Sequence, residues 1–363
     1  MNKNILTILL LIFSVSLYSQ KKPKEKKEKK INLAFIPVIS YNRSFDAQIG
    51  IMASGYFDFN KKDTISPASI VAFSGNYFTS NTMFFGLFNR MYFNEDKWRT
   101  KAAIGYGDIR FQTFMEVPDG LPGMLTTNED GEFVDYSTTM MFLYGEANRR
   151  VIGDLFLGMR FTYSYLNTVF DAEYVPDETL KLFGLGFQAE YDTRNNVFNP
   201  QTGGNGRVKT FSFFEKLGSS ETYHRINLEY NKYFSLGKKA VILARFYGAI
   251  SAGDSIPFNG QNTVGRDDLR GYTNGKFRAN HVYDVQSEYR WNFYRKWGLV
   301  AFAGVAVATD NFKGDNYSGL LPGGGAGLRF LAIPKRKINV GIDAAVGKDD
   351  WGIYFRIGET FTK

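Results

Sequence analysis

An all-β chain, closed into a transmembrane antiparallel β-barrel of about 16 strands, is the fold this sequence predicts. The first observation behind it is the stretch from Tyr283 to Phe293. Tyr283, Val285, Tyr289, Trp291 and Phe293 take its odd positions, with Ser287 the one small exception, while Asp284, Gln286, Glu288, Arg290 and Asn292 take the even ones. Successive strand side chains point to opposite faces, so one face is aromatic and the other polar and ionisable, as in a wall between lipid and a wet lumen. The second observation is composition. Aromatic residues make up 17% of the 363, with Phe 34, Tyr 22 and Gly 37, yet after the N-terminus no apolar run approaches the roughly 20 residues of a spanning helix. The third is the alternation of short and long links between strands, which such barrels show.

At the N-terminus, Lys3, the apolar run from Ile5 to Tyr18 and the small Ser19 before Gln20 predict a secretory signal peptide at 1–19. The protein is therefore expected to leave the cytoplasm. With Cys 0 there is no lipoprotein anchor, no disulfide framework and no thiol for metal binding or catalysis. Residues 20–31 form a lysine-rich periplasmic tail. Seven lysines and two glutamates between Lys21 and Lys30, together with Lys3, account for all but +2 of the net charge of +8. A basic balance confined to a tail excludes a nucleic-acid footprint spread over a domain face. The tail reads as a solvated tether, with contact to a partner or to lipid headgroups as the alternative.

Residues 32–363 are then the barrel. Strands are expected at Ala34 to Tyr41, Phe45 to Phe59, Ala68 to Phe78, Met83 to Phe93, Trp98 to Tyr106, Thr139 to Asn148, Asp154 to Thr168 and Leu182 to Arg194. They continue at Arg207 to Phe214, Thr222 to Phe234, Ala240 to Ser251, Tyr283 to Phe293, Gly298 to Thr309, Gly323 to Ala332, Lys337 to Gly347 and Trp351 to Thr362. With the N-terminus periplasmic, the short links at 60–63, 94–97, 149–153, 237–239, 294–297 and 334–337 share the periplasmic side. The long links at 107–137, 169–181, 252–281 and 310–320 share the other. Asn195 to Gly206 is the exception, a longer link on the periplasmic side. In the last strand Trp351, Ile353, Phe355, Ile357 and Phe361 are expected to face lipid, and Gly352, Tyr354, Arg356, Gly358 and Thr360 the lumen, with Glu359 breaking the lipid-facing row near the interface.

Three motifs carry a family resemblance. Leu269-Arg270-Gly271-Tyr272, in the long outer link, resembles the Val/Leu-Arg-Gly-Phe/Tyr loop motif of BamA/TamA-type barrels, the bacterial surface antigen superfamily of insertases and translocases. Tyr191-Asp192-Thr193-Arg194-Asn195-Asn196 through Asn199-Pro200-Gln201-Thr202-Gly203 is similar to the family's Asp-x-Arg-Asn turn ending in Pro-x-x-Gly. Gly325-Ala326-Gly327-Leu328-Arg329 is similar to its glycine-arginine strand. The resemblance implies that the long outer loop folds into the lumen and that Arg270 pairs with Glu288 and with an aspartate one strand further on. Gly304 stands at that aspartate's place, so the expected lock is one acid short, with Asp284 as a candidate substitute and Arg329 as a further lumen contact. The closing strand, with Trp351, Ile353, Phe355, Ile357, Gly358 and Phe361, resembles the terminal signal by which such barrels are recognised for insertion. The family carries periplasmic polypeptide-transport-associated domains; the short tail before Ala34 leaves no room for one, and a barrel without them is expected.

The resemblance implies a barrel in the outer membrane of a Gram-negative bacterium that assists insertion, assembly or translocation of proteins or lipids. Weak pairing of the first and last strands would open the seam: Pro37 removes a ladder donor from one and Gly352 and Gly358 lie in the other. A passive pore and a partner-dependent structural or surface barrel stay open as alternatives. Expected partners are outer-membrane lipids, unfolded outer-membrane proteins, a periplasmic or outer-membrane partner protein, and a second copy of the chain; nucleic acid is not among them. No enzyme, metal or cofactor is expected. His224 and His281 are the only imidazoles and neither lies in a nucleophile motif. His224 reads as interfacial and His281 as a loop-to-lumen hydrogen bond. Gly203-Gly204 and Gly323-Gly324-Gly325 precede no helix and are not phosphate loops.

Overall fold

Alternation of apolar and polar residues is realised as sixteen antiparallel strands of one closed barrel in the computed structural model, which describes residues 31–42, 46–60, 62–115, 132–265, 268–272, 276–313 and 317–362. The signal peptide at 1–19, the lysine-rich tail up to residue 30, and Arg266 and Asp267 of the loop lie outside the described residues. In chain order the strands are β1 (Ile31–Asn42), β2 (Asp46–Phe57), β3 (Ser69–Phe78), β4 (Met83–Phe93), β5 (Trp98–Met115), β6 (Glu132–Ile152), β7 (Leu155–Phe170), β8 (Glu178–Asp192) and β9 (Gly203–Phe213). Then come β10 (Tyr223–Leu236), β11 (Ala240–Ala252), β12 (Asn262–Val264), β13 (Phe277–Ala279), β14 (His281–Tyr294), β15 (Trp297–Thr309), β16 (Leu321–Ile333), β17 (Ile338–Gly347) and β18 (Asp350–Ile357). Sequential barrel strands are neighbours, while β12 and β13 pair with each other inside the long link between β11 and β14.

All sixteen expected barrel strands are present; β8 and β9 each begin four residues earlier than expected, at Glu178 and Gly203, and two differences in length are larger. β5 and β6 run well into the expected loop at 107–137, paired from Trp98 opposite Arg149 to Met115 opposite Glu132, so the barrel wall rises highest there. β18 stops at Ile357 instead of running to Thr362.

The faces follow the sequence pattern. Val285, Tyr289 and Trp291 point outward and are exposed, while Asp284, Gln286, Glu288 and Arg290 between them are buried in the lumen. Outward-facing apolar side chains recur on almost every strand, from Ile49, Phe73 and Leu87 to Phe187, Phe246 and Trp351. In water such an apolar surface would be costly; in lipid it is the required one.

Closure is uneven. β1 pairs with β2 along its whole length, from Ile31 opposite Phe57 to Asn42 opposite Asp46. Among the described residues its register with β18 is a single pair, Asn42 opposite Gly352.

Candidate functional site

The lumen holds a loop whose tip is anchored from both ends. After β11 the chain makes a single 3-10 turn at Phe258–Gly260, and Ser251 Oγ donates to the Gly260 carbonyl at 2.7 Å. Phe258 packs edge-on against Tyr136 and Phe170, each with ring centroids 5.0 Å away, while Arg278 donates to the Phe258 carbonyl at 2.6 Å and to the Tyr136 hydroxyl at 3.0 Å. The β12–β13 ribbon then carries residues 268–272 down into the barrel. Leu269 and Tyr272 join Ala249, Val264, Ala279, Val282, Ala306, Ala308 and Leu321 in one buried apolar cluster. Small residues on the inner faces of β11 and β15 make the room. The Tyr272 hydroxyl donates to the Pro322 carbonyl at 2.6 Å and accepts from the Lys348 amide at 2.9 Å, tying the tip to β16 and to the end of β17.

Arg270 lies at the centre and is fully buried. Its Nη2 donates to Glu288 Oε2 at 2.5 Å and to Gln286 Oε1 at 3.0 Å, and its Nη1 to Asp343 Oδ2 at 3.1 Å and to Thr360 Oγ1 at 3.3 Å. Phe302 lies flat under the guanidinium, 3.3 Å from its centroid, an arrangement that adds cation–π attraction in a dry site. Gly271 is obligatory for the shape of the tip. Its φ is +109°, and a Cβ there would stand 2.5 Å from the Val346 carbonyl oxygen.

Leu269, Arg270, Gly271, Tyr272 and Glu288 are thus brought together as the sequence reading expects, but the lock is not one acid short. Asp343, on β17, is the second carboxylate. Gly304 is not a vacated acid position: a Cβ there would meet the Val285 carbonyl oxygen at 2.6 Å and Leu269 Cδ1 at 2.9 Å, so the glycine is the socket for Leu269. Asp284 does not substitute for an acid at the lock either. It is bound to Arg245 at 2.8 Å, and Arg245 also reaches the Asp268 side chain at 3.5 Å. Arg329 enters through the acids, with Nη1 on Asp343 Oδ1 at 2.5 Å and Nε on Glu359 Oε2 at 3.1 Å. Arg356 completes Asp343 at 2.8 Å, and Arg290 completes Glu288 at 2.6 Å. Four guanidinium groups therefore share three carboxylates. Buried pairs of this kind hold only when further hydrogen bonds complete them: Gln286 accepts from Arg270, Thr360 accepts from Arg270 and Arg356, and Asn339 Nδ2 donates to the Glu359 carboxylate.

The closing segment corrects a second expectation. Trp351 faces outward, but Ile357 packs at the end of the barrel opposite the long loop, against the cluster of Tyr56, Tyr92, Phe198 and Ile338. Gly358 then turns the chain, with φ +85° and its amide on the Asn339 carbonyl at 2.7 Å. Glu359, Thr360, Phe361 and Thr362 lie buried in the lumen, not along the wall. Glu359 is drawn to Arg329, Arg290 and Asn339. Phe361 packs on Tyr233, Val241 and Leu243, with Arg245 stacked 4.3 Å from its ring. A carboxylate on the lipid face would face hydrocarbon, whereas the inward turn at Gly358 gives Glu359 two guanidinium partners.

The exceptional link at 193–202, expected on the periplasmic side, is also built inward. Asp192 holds Arg194 at 2.7 Å and Arg99 at 2.6 Å, and Asn196 Oδ1 caps the amides of Phe198 and Asn199 at 3.0 and 2.8 Å. The burial of Arg194 disfavours its charged form, but the Asp192 carboxylate outweighs this and raises its pKa above the ordinary arginine value. The link places Val197 and Phe198 across the end of the lumen opposite the long loop. The histidines stay apart from the lock. His281 packs against Phe312 at 4.6 Å, and its Nδ1 has no hydrogen-bond partner among the described residues, so packing replaces the hydrogen bond expected for it. His224 contacts Ser212 on the outer face at 2.9 Å.

Sequence reasoning missed Asp343, Gln286, Thr360 and Phe302. A signal existed for Asp343: it is the single charged residue of a strand that is otherwise apolar or small apart from Asn339, and it falls on the inward phase.

With this geometry in place, comparisons with known proteins are informative. Residues 71–361 match the Omp85 superfamily domain. No curated protein matches the chain by sequence. Among solved structures, BamA from Haemophilus ducreyi lacking POTRA domains 1-3 is similar with a TM-score of 0.57 at 12% identity, covering 98% of this chain and 78% of that one. CdiB from Acinetobacter baumannii gives 0.59 at 14%, covering 91% and 60%, and CdiB from Escherichia coli gives 0.60 at 12%, covering 93% and 66%. The chain thus spans less than two thirds of either CdiB, and identities this low bear on the fold alone. The domain match over most of the length, on a closed barrel with an arginine-tipped loop locked in its lumen, shows that this chain belongs to the Omp85 superfamily and is a barrel of the BamA/TamA type.

Proposed function

We propose that this protein is an outer-membrane barrel of a Gram-negative envelope that assists the insertion, assembly or translocation of other proteins at that membrane, without a catalytic step of its own. The observation that carries the reading is the seam. Among the described residues β1 and β18 share a single register pair, while every other neighbouring pair of barrel strands is laddered over many residues. An unpaired edge in lipid is expensive and invites an incoming strand to complete it. Pro37 in β1 removes one more donor. The inward turn at Gly358 takes the last residues out of the wall and so keeps the seam short. The lock explains how a barrel with a weak seam keeps its shape, because Arg270 joins β14, β17 and the closing segment through Glu288, Asp343 and Thr360. A passive pore has less support, since loop and link occupy the lumen such a pore would leave open.

The test is a folding assay. Purified barrel in liposomes is mixed with a urea-unfolded small outer-membrane protein, and folding is followed by heat-shifted gel mobility. Wild type should accelerate folding and Arg270→Ala should lose most of that effect. The chain's lack of cysteine allows a second arm, Asn42→Cys with Gly352→Cys, in which oxidised and reduced forms of one variant are compared. Equal acceleration by both forms would rule out seam opening.

A further inference from the structure

Below the loop tip lies a lumen cavity of about 710 Å³, within the range of small-ligand sites. Its lining is of two kinds. On the β2–β5 side the inward face is apolar where a water-filled lumen would be polar: Met52, Tyr56, Ile70, Ala72, Phe88 and Ala103 line it. Outward neighbours on the same strands, such as Phe73 and Leu87, are exposed to lipid, so these strands are apolar on both faces at this height. The ionic part of the lining starts on the same strands, with Arg90 of β4 and Lys101 of β5, and continues on β9, β10, β11 and β18. Among the described lining residues Arg90, Lys101, Arg207, Lys209, Arg245 and Arg356 face only Glu229, Asp268 and Glu359.

Most of these cations are committed. Lys101 holds Glu146 at 3.1 Å, Arg207 holds Glu229 at 3.0 Å, and Arg245 and Arg356 hold Asp284 and Asp343 at 2.8 Å each. Arg90 and Lys209 are not. Among the described residues no carboxylate lies within 4.0 Å of either, and the polar contact of Arg90 is the Thr362 carbonyl at 3.2 Å. The register shows why. The cross-strand neighbours of Arg90 are Ile70 on β3 and Lys101 on β5, one apolar and one of like charge. Those of Lys209 are Gln188 on β8 and Asn227 on β10. Like charges directly opposite are destabilising, and a half-buried cation whose nearest carboxylates stand beyond ion-pair distance, as Glu146 and Glu229 do for Lys209, invites an anion to close contact.

We propose that this cavity is a binding site for an anionic amphiphile, a single-chain lipid-like molecule. Its phosphate or carboxylate head sits between Arg90 and Lys209, with Lys101 alongside, and its hydrocarbon lies against Met52, Ile70, Phe88 and Ala103. Charge complementarity fixes the sign of the head, and the apolar wall requires the chain; inorganic phosphate alone would use only half of the site. The cavity wall includes Tyr354 and Arg356 of β18, so the site adjoins the weakly paired seam, through which a molecule from the membrane has the shortest path. The assignment rests on the cavity alone and not on any insertion activity.

Dodecyl phosphate bearing a photoactivatable diazirine on its chain tests it, with the intact barrel in phosphatidylcholine nanodiscs and cross-links mapped by peptide mass spectrometry. Alternation along one strand separates site from surface. Labelling at Phe88 and Met52 reports the lumen, and labelling at Leu87 and Ile51 reports bulk lipid. Lumen labelling should fall at least fivefold in Arg90→Gln/Lys209→Gln, while surface labelling and heat-shifted mobility stay as in wild type. Met52→Trp, which fills the cavity and keeps both cations, should also reduce it. The trimethylammonium analogue of the same chain should label only the surface, and inorganic phosphate at millimolar concentration should compete weakly. Several results would overturn the proposal: labelling confined to the outer face, equal lumen labelling by the cationic analogue, full competition by inorganic phosphate or by an acidic peptide, or indifference to the charge-removing variant.

Discussion

Asp343→Asn isolates the acid that the sequence reading did not place. The side chain is wholly buried and receives Arg270 at 3.1 Å, Arg329 at 2.5 Å and Arg356 at 2.8 Å. Asparagine keeps the shape and one acceptor but removes the charge, leaving four guanidinium groups around two carboxylates. Breaking a buried pair by removing one partner costs about 3–5 kcal/mol, and the retained amide oxygen places this case near the lower end, about 3 kcal/mol. That is roughly a hundredfold in the folded-to-unfolded ratio. An internal control exists at the end of the barrel opposite the long loop, where Arg336 meets Asp58 at the same 2.5 Å but with both side chains partly in solvent. Asp58→Asn should cost no more than about 1 kcal/mol. Urea unfolding in detergent micelles, followed by tryptophan fluorescence, measures both. Adding Gly304→Asp to Asp343→Asn should not restore stability, because residue 304 has room for neither a Cβ nor a carboxylate beside Leu269. Equal costs for the two asparagine variants, or rescue by Gly304→Asp, would refute the reasoning.

Three further outcomes are expected. Gly271→Ala should loosen the loop by about 1–3 kcal/mol through strain at positive φ, read as faster protease cleavage within 253–280 with the strands intact. Glu359→Gln removes the shared partner of Arg329 and Arg290; amide exchange at 359–362 should rise well above that of β17, and unchanged protection would show that Phe361 alone holds the segment. Asp63, outside the spanning strands, accepts the Ile65, Ser66 and Glu95 amides at 3.0, 2.9 and 3.0 Å, and the Ser66 amide foremost lowers its pKa to about 2. Its native-state contribution should therefore be complete above the ordinary value of 3.8 and fade as pH falls towards about 2. Amide chemical shifts of Ser66 followed across that window check the sign.

The number of barrel strands, their order and their faces were legible in the chain because a strand's side-chain period is two, so alternation at Tyr283 to Phe293 assigns each residue to lipid or lumen without knowledge of any neighbour. The loop tip was legible for a different reason, since Leu269-Arg270-Gly271-Tyr272 is a resemblance and its glycine has a local conformational cause. Alternation says which face a residue occupies but not the height at which it meets a distant strand. Height depends on stagger, accumulated strand by strand around the closed sheet, and only the tertiary structure fixes it. Stagger places Asp343 beside Arg270 and leaves Gly304 under Leu269. The same limit hid the end of the chain: Glu359 and Phe361 fit an outward pattern by period, and what turns them inward is the left-handed backbone at Gly358 together with guanidinium groups contributed by β14 and β16. The sequence by itself determined a barrel with an arginine-tipped loop; which acids receive that arginine, and that the last residues close over it, was decided by where remote strands come to lie at one level.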